Sequence, residues 1–177
     1  MNGLQAVAAI VATIALLLAG CGGGGAAAPT EYDAATLEGA RASVRDLRGE
    51  AVLLSSWATW CSECKDGLRS LERLWHERRG DGLTTVAVNL DARGIDRRVG
   101  PMVSSLGLTM PVWRDPDNAF ASAFDAVGVP TSVLLDREGR VVRTWVGELD
   151  FRSEEVGMAV HEALTRSSGS DEAHGPA

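Results

Sequence analysis

Cys61 and Cys64 stand two residues apart, separated by Ser62 and Glu63, directly after Trp57-Ala58-Thr59-Trp60. Two thiols at this spacing, at the start of a helical pattern, form a dithiol suited to disulfide exchange. The chemistry needs one sulfur as a thiolate nucleophile and the other as a thiol that attacks the resulting mixed disulfide. The first cysteine of the pair faces the N-terminus of the following helix, where unpaired N–H groups and the helix dipole favour an anion. Cys61 is therefore the expected nucleophile and Cys64, one turn inside, the resolving thiol. Glu63 opposes the Cys61 thiolate by like charge, whereas Lys65 and the helix terminus favour it. The helix and Lys65 are expected to prevail modestly, because Glu63 can turn into water. Trp60, next to Cys61, is expected to shield the dithiol from solvent.

A strand and a helix must hold that pair in place. Ala51 to Trp57 carries a continuous apolar run and reads as a buried strand. Cys64 to Arg79 reads as a helix with Leu68, Leu71, Leu74 and Trp75 on one face, stopped by Gly80-Asp81-Gly82. Further elements follow in order. Residues 36–48 read as a short hairpin or strand, Leu83 to Leu90 as a β-rich run, and Ile95 to Leu106 as a helix weakened by Gly100-Pro101. Ala119 to Ala126 reads as a short helix. Thr131 to Leu135 and Val141 to Val146 read as two strands joined at Asp136-Arg137-Glu138-Gly139, and Arg152 to Arg166 as a last helix. This order implies an α/β fold whose sheet mixes parallel strands with an antiparallel hairpin.

The N-terminal segment bears on location. Residues 1–20 carry no charge and are apolar from Leu4 to Leu18 apart from Gln5 and Thr13. That run is short for a membrane span, which takes about 20 residues, and suits an export signal. Leu18-Ala19-Gly20-Cys21 matches the lipobox pattern of bacterial lipoproteins, which makes Cys21 the expected lipidation site. A plain secretory signal and a short anchor are the alternatives. Residues 21–35 then form a Gly/Ala-rich tether, 36–166 the folded domain, and 167–177 a polar tail expected to be disordered. Export would put the dithiol where disulfides form and persist. The net charge of −7 argues against nucleic acid as a partner. Zinc is disfavoured: a closed site needs four ligands, and His76, His161 and His174 are scattered.

The Trp57-to-Cys64 motif together with Gly128-Val129-Pro130-Thr131 resembles the thioredoxin-like fold. The span from Leu37 to about Arg166 is similar to the extracytoplasmic TlpA/ResA-like thiol:disulfide oxidoreductases. Asp46-Leu47-Arg48-Gly49 and Val86-Ala87-Val88-Asn89 support the likeness. The resemblance implies a central mixed sheet flanked by helices and a redox-active Cys61–Cys64 disulfide with no other cofactor. It also implies a cis Pro130 beside the dithiol and a substrate-binding edge at Val129, Pro130 and Thr131. Implied partners are extracytoplasmic protein thiols and disulfides, a membrane thiol donor, and the membrane itself through the lipid on Cys21. The implied direction is reducing, for example on apocytochrome c before haem attachment.

The chain departs from that pattern at three positions. Glu63 replaces the usual proline, and Ser55 and Gly67 stand where relatives carry a proton-accepting acid. These departures keep a second reading open, a weakly active or inactive module that binds peptides along the Val129–Pro130 edge. A thiol peroxidase is a third reading, disfavoured because no separate peroxidatic cysteine accompanies the pair.

Overall fold

A computed structural model describes residues 29–166. The export signal of residues 1–20, the lipidation site Cys21, most of the tether and the tail of residues 167–177 lie outside the described residues. The strands are β1 (Asp33–Thr36), β2 (Arg41–Ser43), β3 (Ala51–Trp57), β4 (Leu83–Asn89), β5 (Val112–Arg114), β6 (Thr131–Leu135) and β7 (Val141–Val146). The helices are α1 (Cys64–Arg78), α2 (Val99–Leu106), α3 (Ala119–Phe124) and α4 (Glu154–Thr165).

The strands form one sheet in the order β2-β1-β5-β4-β3-β6-β7. β3, β4 and β5 run parallel, while β6 lies antiparallel to β3 and closes a hairpin with β7. Alternation along β3 splits the core. Ala51, Leu53 and Trp57 face the layer built by α1, α2 and α4. Val52 and Leu54 face Tyr32, Phe120 and Phe124 on the other side. All seven β3 residues are buried, and apart from Ser55 and Ser56 they are apolar, as a strand covered on both faces requires. The face of α1 that carries Leu68 and Leu71 packs on this sheet. Each such leucine contributes about 1.5–3 kcal/mol by leaving water.

Two expectations are corrected. The tether does not reach residue 35: β1 begins at Asp33, and Tyr32 is buried at 3% exposure. Its ring meets Trp113, Phe120 and Phe124 with centroids 6.1, 5.6 and 5.4 Å away. Aromatic packing of that kind orders the chain ahead of the hairpin. The Ile95-to-Leu106 segment is not one helix. A 3-10 turn (Asp96–Arg98) precedes α2, which places Pro101 in the first helical turn. There its missing N–H needs no partner.

Candidate active site

The parallel strands β3 and β4 end together, and the site lies past their carboxyl ends. Crossover connections leave a crevice at that edge of a sheet. The chain leaves β3 at Trp57, makes a tight loop and enters α1 at Cys64. Asp91, just beyond β4, holds this loop. Its carboxylate accepts hydrogen bonds from the Thr59 N–H at 3.0 Å and the Thr59 hydroxyl at 3.2 Å. The Asn89 side-chain amide donates to the same carboxylate at 2.9 Å. Asp91 is buried at 2% exposure, and these bonds compensate its desolvation. The sequence reading passed over it. Its only signal was an Asn-x-Asp immediately after an apolar strand.

Cys61 and Cys64 are joined as a disulfide, with Cα atoms 5.4 Å apart. The Cys61 sulfur accepts a hydrogen bond from the backbone N–H of Cys64 at 3.2 Å. The residue before the helix, Glu63, makes no side-chain cap, so the cysteine sulfur occupies the place of a capping atom. A thiolate on Cys61 would sit in the same field. In the oxidised state exposure does not distinguish the two cysteines. Both residues are buried, Cys61 at 4% and Cys64 at 3% exposure. What separates them is position, because Cys64 and not Cys61 lines a small cavity behind the disulfide.

Glu63 is exposed to water, as expected, yet stays close to the dithiol. Its Oε2 lies 3.9 Å from the Cys61 sulfur and accepts the Ser62 hydroxyl at 3.0 Å. Its own backbone N–H and the Ser62 hydroxyl lower its pKa, so it stays ionised next to Cys61. Trp60 does not pack away beside the dithiol. It leaves 70% of its surface in solvent because the loop projects it outward, whereas Trp57 is buried in the core.

The Val129–Pro130 bond is cis. Pro130 shares the cavity wall with Cys64. Its carbonyl accepts the Gly147 N–H at 2.8 Å, which ties the loop to the strand end of β7. Val129 is half-buried, and no backbone hydrogen bond engages its N–H or C=O among the described residues. Thr131 is different and corrects its assignment to a substrate edge. It is fully buried, its N–H donates to Ser56 Oγ at 2.8 Å, and its hydroxyl donates to the Gly128 carbonyl at 2.8 Å. These bonds make it an anchor of the loop. Beneath the dithiol, Ser55 and Ser132 face each other across β3 and β6 with their hydroxyls 3.0 Å apart.

A mixed sheet between helix layers, a Cys-x-x-Cys pair at a helix N-terminus and a cis-proline on the same cavity define a thioredoxin-fold protein of the TlpA/ResA-like kind. The chain belongs to the AhpC/TSA family, whose model matches residues 25–144. It is 33% identical over 112 residues to thiol-disulfide oxidoreductase ResA of Bacillus thuringiensis (strain Al Hakam), an alignment covering 63% of this chain and 64% of that protein. It is 32% identical over 120 residues to thioredoxin-like protein YneN of Bacillus subtilis (strain 168), covering 67% of this chain and 69% of that one. A Chlorobium tepidum protein provisionally named thiol:disulfide interchange protein DsbE superposes with a TM-score of 0.70 at 25% identity. That match covers 77% of this chain and 96% of the other.

Proposed function

We propose that this chain is a protein thiol:disulfide oxidoreductase that works outside the cytoplasm as a reductant. The observation that carries the reading is the Cys61 sulfur held by the helix N-terminus, beside a cis Pro130 that shares a cavity with Cys64. The Cys61 thiolate attacks a substrate disulfide, and one substrate sulfur leaves as a thiolate. Cys64 then attacks Cys61, the second substrate sulfur leaves, and the Cys61–Cys64 disulfide remains. No cofactor other than this disulfide takes part. The unengaged N–H and C=O of Val129 suit an extended substrate segment laid alongside as an added strand.

The N-terminal segment supports the location, and the family resemblance supports the partners. Lipidation at Cys21 would tether the domain to a membrane, and among the described residues no helix is long and apolar enough to cross one. A membrane thiol donor would restore the dithiol, and apocytochrome c thiols are the proposed substrate class. The chain spans 64% of the length of the ResA it matches, so that protein's activity is transferred here as a proposal.

Insulin reduction and the reduction potential of the Cys61/Cys64 couple test the core of this reading. Turnover with a potential near the thioredoxin value of about −270 mV supports a reductant. A potential near about −120 mV would make it an oxidant. Peptide binding without turnover would leave only the binding module, and peroxide consumption would point to the peroxidase. Cys21→Ala should release the protein from the membrane fraction, and retention of that variant would remove the lipoprotein tether.

A further inference from the structure

Resolution of the mixed disulfide requires Cys64 to lose a proton. A thiol as buried as Cys64, at 3% exposure, holds its proton more tightly than a free one unless a base stands near. Its neighbours on the sheet are neutral. Ser55 and Ser132 satisfy each other at 3.0 Å, and the nearby Ser56 hydroxyl accepts the Thr131 N–H. Gly67, one turn along α1, has no side chain. The cavity behind Cys64 measures about 10 Å3, the lower limit for a single water. Two acidic residues, Glu63 and Glu148, are among those that line it.

The geometry points to Glu148, in the segment after β7, as the proton acceptor for Cys64. Glu63 is taken up on the other sulfur: it lies 3.9 Å from Cys61 and accepts the Ser62 hydroxyl. Glu148 makes no hydrogen bond or ion pair among the described residues. It lines the cavity with Cys64 and also the open groove outside it with Gly67. It is exposed, so a proton taken from the cavity side can pass to solvent. The remaining charges of that groove are Asp66 and Arg73 from α1 and Asp150 and Arg152 from the segment before α4. Asp66 is paired with Arg69 at 3.0 Å and Asp150 with Arg152 at 3.4 Å, which leaves Glu148 as the unpaired carboxylate.

The inference rests on the exchange reading above. Cys64 gives its proton to Glu148, directly or through one water in the cavity. The resulting thiolate attacks the Cys61 sulfur, and the bond between Cys61 and substrate breaks. The substrate sulfur takes the electron pair and Glu148 returns the proton to solvent. When the disulfide is reopened by a donor thiol, Glu148 supplies the proton to the departing Cys64.

Stopped-flow reaction of the reduced protein with excess 5,5′-dithiobis(2-nitrobenzoate) separates the two steps. The phase that scales with reagent concentration reports attack by Cys61, and the concentration-independent phase reports resolution by Cys64. Glu148→Gln should slow the second phase at least about tenfold at pH 7, alter the pH dependence of that phase alone, and leave the first phase within about twofold. Gly67→Glu should restore part of the second phase in the Glu148→Gln background. A Cβ at Gly67 would meet only the Phe151 ring, at 3.9 Å, so the new carboxylate has room. A second phase with the wild-type rate and pH profile in Glu148→Gln would overturn the assignment, as would equal slowing of both phases. Absence of the first phase in the wild-type chain would overturn the exchange reading itself.

Discussion

The backbone N–H of Cys64 donates to the sulfur of Cys61 at 3.2 Å, so one cysteine of the pair is held by the main chain of the other. The bond gives the two sulfurs unequal chemistry although both residues are buried. Reduction leaves Cys61 with an N–H donor and the helix dipole, both of which favour the thiolate. Cys64 keeps only its cavity. Iodoacetamide at neutral pH should therefore label Cys61 of the reduced protein well before Cys64, read by peptide mass mapping over time. Equal labelling of the two would remove the asymmetry.

The same asymmetry predicts which covalent intermediate accumulates. Cys64→Ser blocks only the second step, so a mixed disulfide between Cys61 and substrate should be trapped and visible on non-reducing gels. Cys61→Ser removes the sulfur at the helix terminus and should trap little. Trapping by Cys61→Ser alone would reverse nucleophile and resolver.

Glu63 puts an ionised carboxylate 3.9 Å from the Cys61 sulfur. Like charge disfavours the thiolate, although solvent screens the pair because Glu63 is exposed. Glu63→Gln should speed the first attack on a small disulfide at neutral pH by about two- to threefold and lower the pKa of Cys61 in a thiolate absorbance titration. An unchanged rate and pKa would mean that the carboxylate does not act on the sulfur.

How far the sequence reveals this site depends on the range of each interaction. β3, β6 and β7 are legible to the residue, because β-branched and apolar segments end at clear turn residues, Gly49-Glu50 before β3 and Asp136 to Gly139 between β6 and β7. The dithiol and its helix were legible because spacing and periodicity are local. The rest depends on contacts between distant segments. Asp91 acts across 32 positions on Thr59, and Tyr32 reaches Asp115 across 83. Neither partner carries a local mark of the other. Thr131 reads as the first residue of a strand after Pro130, and only the packing of β6 beside β3 places its N–H on Ser56. The exposure of Trp60 was likewise out of reach, since a large apolar residue reads as buried unless the loop carrying it is known.

Asp91 is the clearest of these unmarked residues to test. It fixes the loop between β3 and the dithiol through the Thr59 N–H and hydroxyl. Asp91→Ala leaves the half-buried Thr59 donors and the buried Asn89 amide without an acceptor, which costs about 1–3 kcal/mol for each group that stays dry. The variant should melt lower and react more slowly at Cys61, because the loop that sets the sulfur against the helix has lost its anchor. Asp91→Asn keeps one acceptor oxygen and should fall between. A variant with wild-type melting and wild-type alkylation rate would show that the loop holds itself.

Glu72 offers a test of stability against pH away from the dithiol. It projects from α1 and accepts from the Thr109 N–H at 2.9 Å, the Thr109 hydroxyl at 2.5 Å and the Met110 N–H at 3.0 Å. His76 stands 3.0 Å from the same carboxylate. These bonds tie α1 to the segment entering β5. Burial alone would raise the carboxyl, and the bonds from Thr109, Met110 and His76 outweigh it, so the folded pKa lies below the ordinary glutamate value. A group depressed in the folded state adds stability above its unfolded pKa of about 4.3, and that stability is lost as pH falls through the lower folded value. Glu72→Gln should therefore cost about 1–3 kcal/mol at pH 7. That corresponds to a melting point lower by several degrees, on the order of 5 °C for a domain of this size. The gap between wild type and variant should narrow as both are acidified below about pH 4, because the wild-type carboxylate is then being protonated as well. Thermal melts of both proteins at pH 7 and near pH 3 check this. A gap of the same size at both pH values would mean that the charge on Glu72 contributes nothing and that side-chain shape alone holds α1 to Thr109.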